Sequence, residues 1–477
     1  MAICRTYART AMRNAIAMAL MLLFSSIAGV SSAEYVEENE EAVSDTSITS
    51  TYSIAVQMSL KRAENLESYS QSQLDSTAEW LVITGMGMDS QGTSKAQPDS
   101  VTMAPFLEGA FIWEFLEPQR AVSDLRESLL SREIESFSPL VMKKQQPRYI
   151  PDDPEFPAQW HLKNTGQTSG VSGEDANVTG AWDNYNGSGV VISVVDDGLD
   201  KDHPDISPHY SALLSYDWCN DDGDPSPTQF NGHGTAAGGV AAAVGDNDLY
   251  VTGAAYGATI AGSTLIACWA GDQTESEALS YENDDIDIYT NSWGPSDNGQ
   301  TLDGPGPLTT AALEEDAYGG REGLGNILTW AAGNGLGSND NANYDGYANS
   351  RYTIAVTAIS HEGEQSWYAE PGANILVAAH SQGDGEGITT TDITGSGGYN
   401  NSGNVTHDFG GTSSATPLAA GVIALMLEAN ENLTWRDVQH ILVNSARMND
   451  ASDTSWELNG AGHDVSHKYG FGAVDAG

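Results

Sequence analysis

Short runs of mostly apolar, β-forming residues recur between residues 190 and 359. A run that is apolar at successive positions is typical of a strand buried on both faces of a parallel sheet. Two segments of small residues, 234–244 and 414–429, predict helices that cover such a sheet. The sequence therefore predicts an α/β domain with a mostly parallel central sheet. The predicted strands are residues 190–196, 258–266, 286–293, 326–333 and 352–359.

A smaller unit of different composition precedes this region. Residues 80–83 and 110–115 have the composition of strands, and residues 122–137 have helical periodicity. These segments predict a small α+β unit within residues 52–148. The unit ends in a basic, proline-containing connector, residues 142–148, of the kind at which chains are often cleaved.

The N-terminus has the features of an export signal over residues 1–33. Three arginines precede an apolar run that is too short to span a bilayer comfortably, and a small-residue cleavage site ends at Ala33. The alternative is an uncleaved membrane anchor. We expect secretion to the extracellular or periplasmic space, and no other segment that inserts stably in a membrane. Residues 34–51 are acidic and rich in Ser and Thr, which predicts a disordered linker.

The net charge of −47 limits the classes of partner. With 66 acidic residues against 19 basic ones, the chain lacks the basic surface that nucleic acid binding requires. Most of the acidic residues are explained by a solvated surface, and acidic clefts attract metal ions or basic peptides. Removal of the signal would leave two cysteines, Cys219 and Cys268, which either form a disulfide or stay as buried thiols.

Three short motifs carry residues with catalytic chemistry. Asp196 lies in Val-Asp-Asp-Gly at the end of a predicted strand, His233 lies in Asn-Gly-His-Gly-Thr, and Ser413 lies in Gly-Gly-Thr-Ser-Ser at a predicted helix start. Each motif alone has an ordinary explanation: a turn, a helix-capping histidine and an N-cap serine. Their order along the chain, Asp then His then Ser, is that of subtilisin-type serine peptidases.

Residues 149–477 resemble the subtilases, and within them the kexin/furin-like proprotein convertases. The resemblance rests on SVVDDGLDKDHPDI, NGHGTAAG, IYTNSWGPSDNGQTLDGPGPL, LTWAAGNG, YDGYANSRYTIAV and GGTSSATPLAAGVIALMLEANENLTWRDVQHILV. It implies a subtilisin-like three-layer catalytic domain over residues 149–477. Residues 52–148 would then be a propeptide that aids folding and blocks the cleft until self-cleavage near Lys144 or Arg148.

The resemblance assigns the catalytic roles. Asp196 would orient His233, which would take the proton of Ser413 as its hydroxyl attacks the scissile carbonyl. Asn334 matches the family's oxyanion-hole residue. The segment Ser292-Trp293-Gly294 matches the strand on which the family lays its peptide substrate.

Acidic residues match the family's substrate subsites. Asp297 and Asp345 fall on the primary pocket, Asp197 on the next subsite and Asp303 on a further one, which implies substrates with Arg or Lys before the scissile bond. Phe230 departs from the pattern, because close relatives place another subsite Asp there. Strict dibasic cleavage is therefore not to be assumed. The remaining acidic candidates at this rim are Glu275 and Glu277.

The resemblance also implies Ca²⁺, which prefers hard oxygen ligands. The most secure candidate set is Asp153, Asp205 and Asn247 with the carbonyl oxygens of Val244, Leu249 and Val251. A second set is Asp297, Asp340 and Glu370. A third is Asp217, Asp222 and Asp224, for which an Asp-rich surface loop is the alternative.

Two other functions remain open at this point. One is a subtilisin-like endopeptidase of broad specificity, in which the acidic residues serve calcium and solubility alone. The other is a catalytically silent binding protein on the same scaffold. In either case we expect a monomer, with its own propeptide as a partner. Relatives carry a β-rich domain after the point where this sequence ends, so we expect it to be truncated or to lack that domain.

Overall fold

The computed structural model describes residues 64, 66, 69–84, 93–104, 109–141, 150–228 and 230–477. The predicted signal 1–33 and linker 34–51 lie outside the described residues, as do the cleavage candidates Lys144 and Arg148. The chain divides into two compact units, Met1–Gln145 and Gln146–Gly477.

The first unit contains, in its described part, an antiparallel sheet and two helices. Its elements are α1 (Gln71–Ser76), β1 (Glu79–Ile83), β2 (Ser100–Met103), β3 (Ala110–Glu114), α2 (Pro118–Leu130) and β4 (Ser136–Pro139). The strand order is β2-β3-β1-β4. Trp80, Trp113, Leu125 and Phe137 belong to one buried cluster that holds the sheet and α2 together. This is the small α+β unit that the sequence predicts.

The helix predicted over residues 122–137 was placed wrongly. Helix α2 starts at Pro118, where the fixed φ of proline suits the first turn and its missing N–H is not needed. The helix ends at Leu130, and Arg132 then has a left-handed φ of 59°, which interrupts a right-handed helix. The residues that follow form β4, which pairs with β1.

The second unit is built on a parallel sheet, as predicted. In the described residues its strands are β5 (Val191–Asp196), β6 (Tyr216–Asp217), β7 (Thr259–Thr264), β8 (Ile288–Asn291), β9 (Ile327–Ala331), β10 (Thr353–Ile359) and β11 (Ile375–His380). The order across the sheet is β11-β10-β9-β8-β5-β7-β6, and all the neighbouring pairs are parallel. The predicted strands are confirmed as β5, β7, β8, β9 and β10. The edge strands β6 and β11 were not predicted.

Helices cover both faces of this sheet. The helices of the second unit are α3 (Val178–Ala181), α4 (His233–Ala242), α5 (Asp272–Leu279), α6 (Pro307–Tyr318), α7 (Gly320–Gly323), α8 (Thr412–Ala429) and α9 (Trp435–Ser445). Small strand pairs add β12 (Ile388–Thr391) with β13 (Val405–Phe409), and β14 (Glu457–Leu458) with β15 (Asp464–Val465).

Alternate residues of the central strands enter two separate cores. Ile192 and Ile288 pack into the core that contains α4 and α8, whereas Val195 and Tyr289 pack into the core that contains α5 and α6. Strands buried on both faces explain why these runs are apolar at successive positions. The result is the three-layer α/β arrangement of a subtilisin-like fold.

Helix α8 is the helix of the described residues that is long and apolar enough to span a membrane by length and composition. Because 83% of its apolar window is buried inside the protein, its composition is explained by its place in the core, where it packs across β8, β9, β10 and β11.

Candidate active site

The candidate catalytic residues follow the carboxyl ends of adjacent parallel strands. Strand β5 ends at Asp196, β8 ends just before Ser292, and β9 ends shortly before Asn334. Strands β5 and β8 are in register, with Val195 opposite Asn291. Since the carboxyl ends of parallel strands share one edge of the sheet, the fold brings these three segments together where α/β proteins place their ligands.

Buried Asp196 and partly exposed His233 form a hydrogen-bonded pair. His233 Nδ1 lies 2.8 Å from Asp196 Oδ1, and the Asp196 side chain is 1% exposed. Asp196 Oδ1 also accepts the N–H of Asp197 at 2.7 Å. With Nδ1 as the donor, the other ring nitrogen, Nε2, is left to act as the base.

A glycine allows the approach of α4 to β5. A Cβ atom on Gly234 would lie 2.2 Å from the carbonyl oxygen of Gly198 and 2.8 Å from Asp196 Cβ. Any larger residue would push His233, the first residue of α4, away from Asp196. The glycine after the histidine is therefore required by the geometry of the pair.

The charges around His233 favour its protonated form. Burial lowers the pKa of His233, but the neighbouring carboxylates of Asp196 and Asp197 outweigh burial and raise this pKa to about 9. Asp197 itself accepts the backbone N–H groups of Gly234 at 2.8 Å and His233 at 3.3 Å. Burial and the charge of Asp196 raise the pKa of Asp197 to about 6. An imidazolium formed during proton transfer is thus stabilised at this position.

Ser413 occupies the first turn of α8, where backbone N–H groups lack intrahelical acceptors. Its hydroxyl donates to the carbonyl oxygen of Ser292 at 3.2 Å, and the Ser292 hydroxyl donates to the Ser413 carbonyl at 2.9 Å. The ring of Phe409, shortly before Ser413, contacts the His233 ring with centroids 5.4 Å apart. Among the described residues, Ser413 and His233 share no hydrogen bond, so the hydroxyl has to turn from Ser292 before attack. Catalytic hydrogen bonds are often long without substrate.

Asn334 is held with its amide N–H₂ free to donate. Its Oδ1 accepts the backbone N–H of Thr412 at 2.8 Å and the Thr412 hydroxyl at 3.1 Å. Gly411 has φ 76° and ψ 174°, a conformation that is essentially restricted to glycine, and a Cβ there would lie 3.3 Å from Asn334 Oδ1. The amide Nδ2 is therefore the group of this side chain that is left to donate, and its pairing with the N–H of Ser413 as an oxyanion hole stays a prediction.

The segment after β8 forms one wall of a substrate cleft. The Trp293 indole donates to the carbonyl of Val195 at 3.0 Å and the Trp330 indole donates to the carbonyl of Trp293 at 2.7 Å. A Cβ on Gly294 would lie 2.7 Å from Asp345 Oδ2, so the Asp345 carboxylate lies directly against Gly294. Burial and the nearby Asp297 raise the pKa of Asp345 to about 6. Such a buried carboxylate favours a cationic partner.

Trp293 and Gly294 line one cleft of the structure. It has a volume of about 370 Å³ and is lined by Trp293, Gly294, Asp303, Tyr347 and Glu275, among others. The Tyr347 hydroxyl donates to Glu275 Oε2 at 2.7 Å. The backbones of Asp303 and Asp345 form a bridge. Tyr347 was missed from the sequence, because a tyrosine in a strand-rich segment gives no signal that distinguishes a cleft wall from the core.

Comparison with known proteins decides the family. The family model described as "Subtilase family" matches residues 187–472. The chain belongs to the subtilase family. Its relatives include "PC3-like endoprotease variant B" of Hydra vulgaris, 44% identical over 336 residues, which are 69% of this chain and 46% of the relative. Human "Furin" is 40% identical over 364 residues, 74% of this chain and 44% of furin. This subtilase spans less than half the length of either relative.

A solved structure with the same fold is the Aeromonas sobria serine protease in complex with the chaperone ORF2. It is 27% identical, with a TM-score of 0.63 over 71% of this chain and 67% of that chain. A protease from Pseudoalteromonas arctica, 24% identical with a TM-score of 0.54 over 69% of this chain and 98% of that chain, shares the fold.

The first predicted calcium set of this subtilase is linked by hydrogen bonds. Asp153 and Asp205 are buried. Asp153 accepts the hydroxyl of Thr252 at 2.6 Å, and Asp205 accepts the side-chain amide of Asn247 at 3.2 Å and the N–H of Val251 at 2.8 Å. Burial, together with the charge of Asp153, raises the pKa of Asp205. Two buried carboxylates in one loop cluster suit a hard cation, with oxygens of Val244, Leu249 and Val251 nearby in the chain.

The second set is an acidic cluster beneath the primary pocket. Glu370 is 3% exposed, and its Oε1 accepts the N–H of Gly335 at 2.8 Å. Burial and the charges of Asp297 and Asp340 raise the pKa of Glu370 to about 8. Asp297 Oδ2 also accepts the N–H of Asn334 at 2.8 Å, which links this cluster to the oxyanion donor. Three carboxylates this close repel one another unless a cation or a proton neutralises them.

The third set receives no support from its contacts. Asp217 Oδ1 accepts the N–H groups of Cys219 and Asn220, and Asp224 lies 3.8 Å from the ammonium of Lys201. Asp222 accepts the N–H of Asp224 at 2.9 Å. These bonds are those of an Asp-rich turn, and this set stays a prediction.

Within the described part of the chain, no three His, Cys, Asp or Glu side chains are arranged to hold a metal ion by themselves. A cation at either of the first two sets would therefore need backbone carbonyl or amide oxygens as well, which Ca²⁺ accepts readily. The two cysteines form a disulfide, with Cα atoms 5.7 Å apart, which resolves the alternatives left open by the sequence.

Proposed function

We propose that this subtilase is a calcium-dependent serine endopeptidase of the proprotein convertase type, which cuts peptide bonds after Arg or Lys. The observation that carries the proposal is the hydrogen bond of 2.8 Å between buried Asp196 and His233. It is supported by a serine at a helix start and by the free amide of Asn334. A binding protein on this scaffold would have no use for this arrangement.

The reaction follows from these groups. The Ser413 oxygen bonds to the scissile carbonyl carbon while His233 Nε2 takes the hydroxyl proton, and Asp196 holds the imidazolium through Nδ1. The negative charge that develops on the carbonyl oxygen is stabilised by Asn334 Nδ2 and the N–H of Ser413. The C–N bond then breaks as His233 returns the proton to the leaving amine. Water then bonds to the acyl carbon while His233 Nε2 takes its proton. The ester C–O bond breaks as the imidazolium returns that proton to the Ser413 oxygen.

The preference for a basic residue is supported by the carboxylates of the cleft. Asp345 lies against Gly294, where a substrate strand would pair with the segment after β8. Asp297 belongs to the neighbouring acidic cluster. A guanidinium or ammonium group that enters this pocket loses its hydrating water. A hydrogen-bonded ion pair with a buried carboxylate would offset that free-energy cost. The names of the relatives, a PC3-like endoprotease and furin, agree with this choice.

Calcium, export and self-processing belong to the same proposal. A bound Ca²⁺ would neutralise the buried carboxylates of the first two acidic sets and hold their loops in place. The small α+β unit would act as the propeptide, and the N-terminal signal would direct the precursor out of the cytoplasm. A solved relative was crystallised with a chaperone, which is compatible with assisted folding of this fold.

The proposal is tested by labelling and by N-terminal sequencing. A fluorophosphonate should label the wild-type protein and should not label Ser413→Ala. Sequencing of the mature N-terminus should find processing in the wild type and the intact precursor in Ser413→Ala. Absence of labelling in a folded wild type would refute the peptidase assignment. Cleavage of a peptide library without enrichment of Arg or Lys before the cut would instead favour an endopeptidase of broad specificity.

A further inference from the structure

The cleft has two sides, and the order of strands in the sheet separates them. Strand β8, whose end carries Ser292 to Gly294, lies between β9 and β5. The groups that follow β9 are Asn334 and Asp345, which form the oxyanion donor and the acidic pocket. On the other side, Asp196 ends β5 and holds His233.

An extended substrate must present successive side chains to these two sides. Side chains of an extended chain alternate in direction. If the residue immediately before the scissile bond directs its side chain into the pocket at Asp345, the residue before that one directs its side chain away from the pocket, toward His233. The surface around His233 therefore selects this second substrate residue.

Phe230 is an aromatic residue of the loop that leads into α4, three residues before His233. Its side chain is 82% exposed, and its backbone has a φ of 77°, which is rare for a bulky residue. Its N–H donates to the carbonyl of Gly397 at 2.8 Å. The loop thus has a backbone conformation that is energetically unfavourable for phenylalanine, and the aromatic ring is exposed to solvent.

Other aromatic rings extend this surface. Phe409 contacts both His233, with ring centroids 5.4 Å apart, and Tyr399, with ring centroids 5.9 Å apart. Tyr399 is 48% exposed. Phe409 itself ends β13 and is buried, so Tyr399 is the ring of this pair that can meet a ligand.

The acidic group on this side is already engaged. Asp197 accepts backbone N–H groups of His233 and Gly234 at the start of α4, where the helix dipole also stabilises a negative charge. Its carboxylate is oriented toward the helix rather than left free for a ligand. A basic side chain entering here would meet an aromatic ring and a carboxylate with existing partners.

We infer that Phe230 makes this enzyme select an apolar second residue, so that its preferred cleavage sequence is an aliphatic or aromatic residue followed by Arg or Lys. The inference rests on the proposed function and deepens it by naming the substrate class. Contact with an apolar substrate side chain removes the exposed ring of Phe230 from water, which favours binding. A lysine or arginine side chain would give less of this free energy, because its charged end has to stay hydrated.

The test uses the full-length chain and fluorogenic peptides with arginine before the scissile bond and either leucine or lysine before the arginine. For the wild type we expect kcat/KM to be at least about tenfold higher for the leucine peptide, the scale of discrimination that apolar contacts provide. Phe230→Asn removes the ring without adding charge and should bring the ratio close to one. Phe230→Asp should reverse it in favour of lysine.

These two variants form a matched pair, since Asn and Asp both tolerate a positive φ better than Phe does. A fluorophosphonate has no second residue, so labelling of Ser413 in each of the three proteins shows that each is folded and reactive, and the comparison rests on the ratio of the two peptides within each protein. If the wild type is labelled but cleaves the lysine peptide as fast as the leucine peptide, or if Phe230→Asn leaves the ratio unchanged, the inference is overturned and the proposed function stands. If the wild type is not labelled, both are overturned.

Discussion

Replacing Asn334 by aspartate separates the two roles of this side chain. Oδ1 accepts from the N–H of Thr412 at 2.8 Å and from its hydroxyl at 3.1 Å, and an aspartate oxygen can keep both bonds. What Asn334→Asp loses is the Nδ2 donor, one of the pair proposed to hold the oxyanion. Loss of one such donor lowers kcat by about 10²–10³-fold in subtilisin, or about 2.7–4 kcal/mol.

The effect should be confined to the transition state. We expect kcat for an arginine peptide to fall by at least about 10²-fold in Asn334→Asp, with KM changed little, because the lost interaction forms only as charge develops. Thr412→Val is the control: it removes the hydroxyl that donates to Asn334 Oδ1 and accepts the N–H of Gly333 at 3.2 Å, and it leaves the Nδ2 donor in place. Each lost bond is worth about 1 kcal/mol of stability. The measurement is kcat and KM from steady-state kinetics on the folded variants. A kcat within about threefold of the wild type in Asn334→Asp would refute the role of Nδ2.

Four further predictions concern acid–base behaviour, calcium and packing. The pKa of His233 is raised to about 9, and only the neutral imidazole acts as a base, so kcat/KM should rise with pH up to about pH 9. Asp197→Asn removes one of the charges that raise this pKa and should shift the rise in kcat/KM to lower pH. The pKa of Glu370 is raised to about 8 in the folded protein, against about 4.5 in the unfolded chain. Without calcium, the contribution of protonated Glu370 to stability is therefore complete below about pH 4.5 and is lost as the pH rises toward 8. Glu370→Gln should reduce this loss of stability. Chelation should lower the Tm at neutral pH. Gly234→Ala, whose Cβ would lie 2.2 Å from the carbonyl of Gly198, should destabilise the protein by about 1–3 kcal/mol.

Three of these predictions have the following contrary results. A pH profile that Asp197→Asn leaves unshifted would mean that this carboxylate does not act on the imidazole. A melting curve that excess chelator leaves unchanged would count against both calcium sets. An unchanged Tm in Gly234→Ala would mean that the approach of α4 to β5 is looser than the distances indicate.

Local patterns were sufficient for much of the fold. The buried strands β5, β7, β8, β9 and β10 were predictable because both of their faces are covered, so each is a continuous apolar run. Edge strand β6 is only Tyr216–Asp217, too short to produce any pattern. The end of α2 was missed because the periodicity continues past Arg132, whereas its left-handed φ interrupts the helix.

The residues of the candidate site were likewise predictable only in part. Asp196, His233 and Ser413 could be found from motifs in a fixed order, and Asn334 from its glycine neighbours in the resemblance. The role of Thr412, which orients the Asn334 amide, and that of Tyr347, which bonds to Glu275, depend on contacts between segments far apart in the chain. No local pattern reports such contacts.

The sequence alone determined the order of the elements, the identity of the candidate catalytic groups and the excess of carboxylates, because each follows from residue type and spacing. Only the tertiary structure decided which carboxylates are buried beside one another, that Asp197 caps the start of α4, that Cys219 pairs with Cys268 and that the ring of Phe230 stays in solvent. The pairing of strands that are distant in the sequence brings these residues together. Their new neighbours determine which side chains are buried, which hydrogen bonds form and how strongly a charge or an aromatic ring acts on its surroundings.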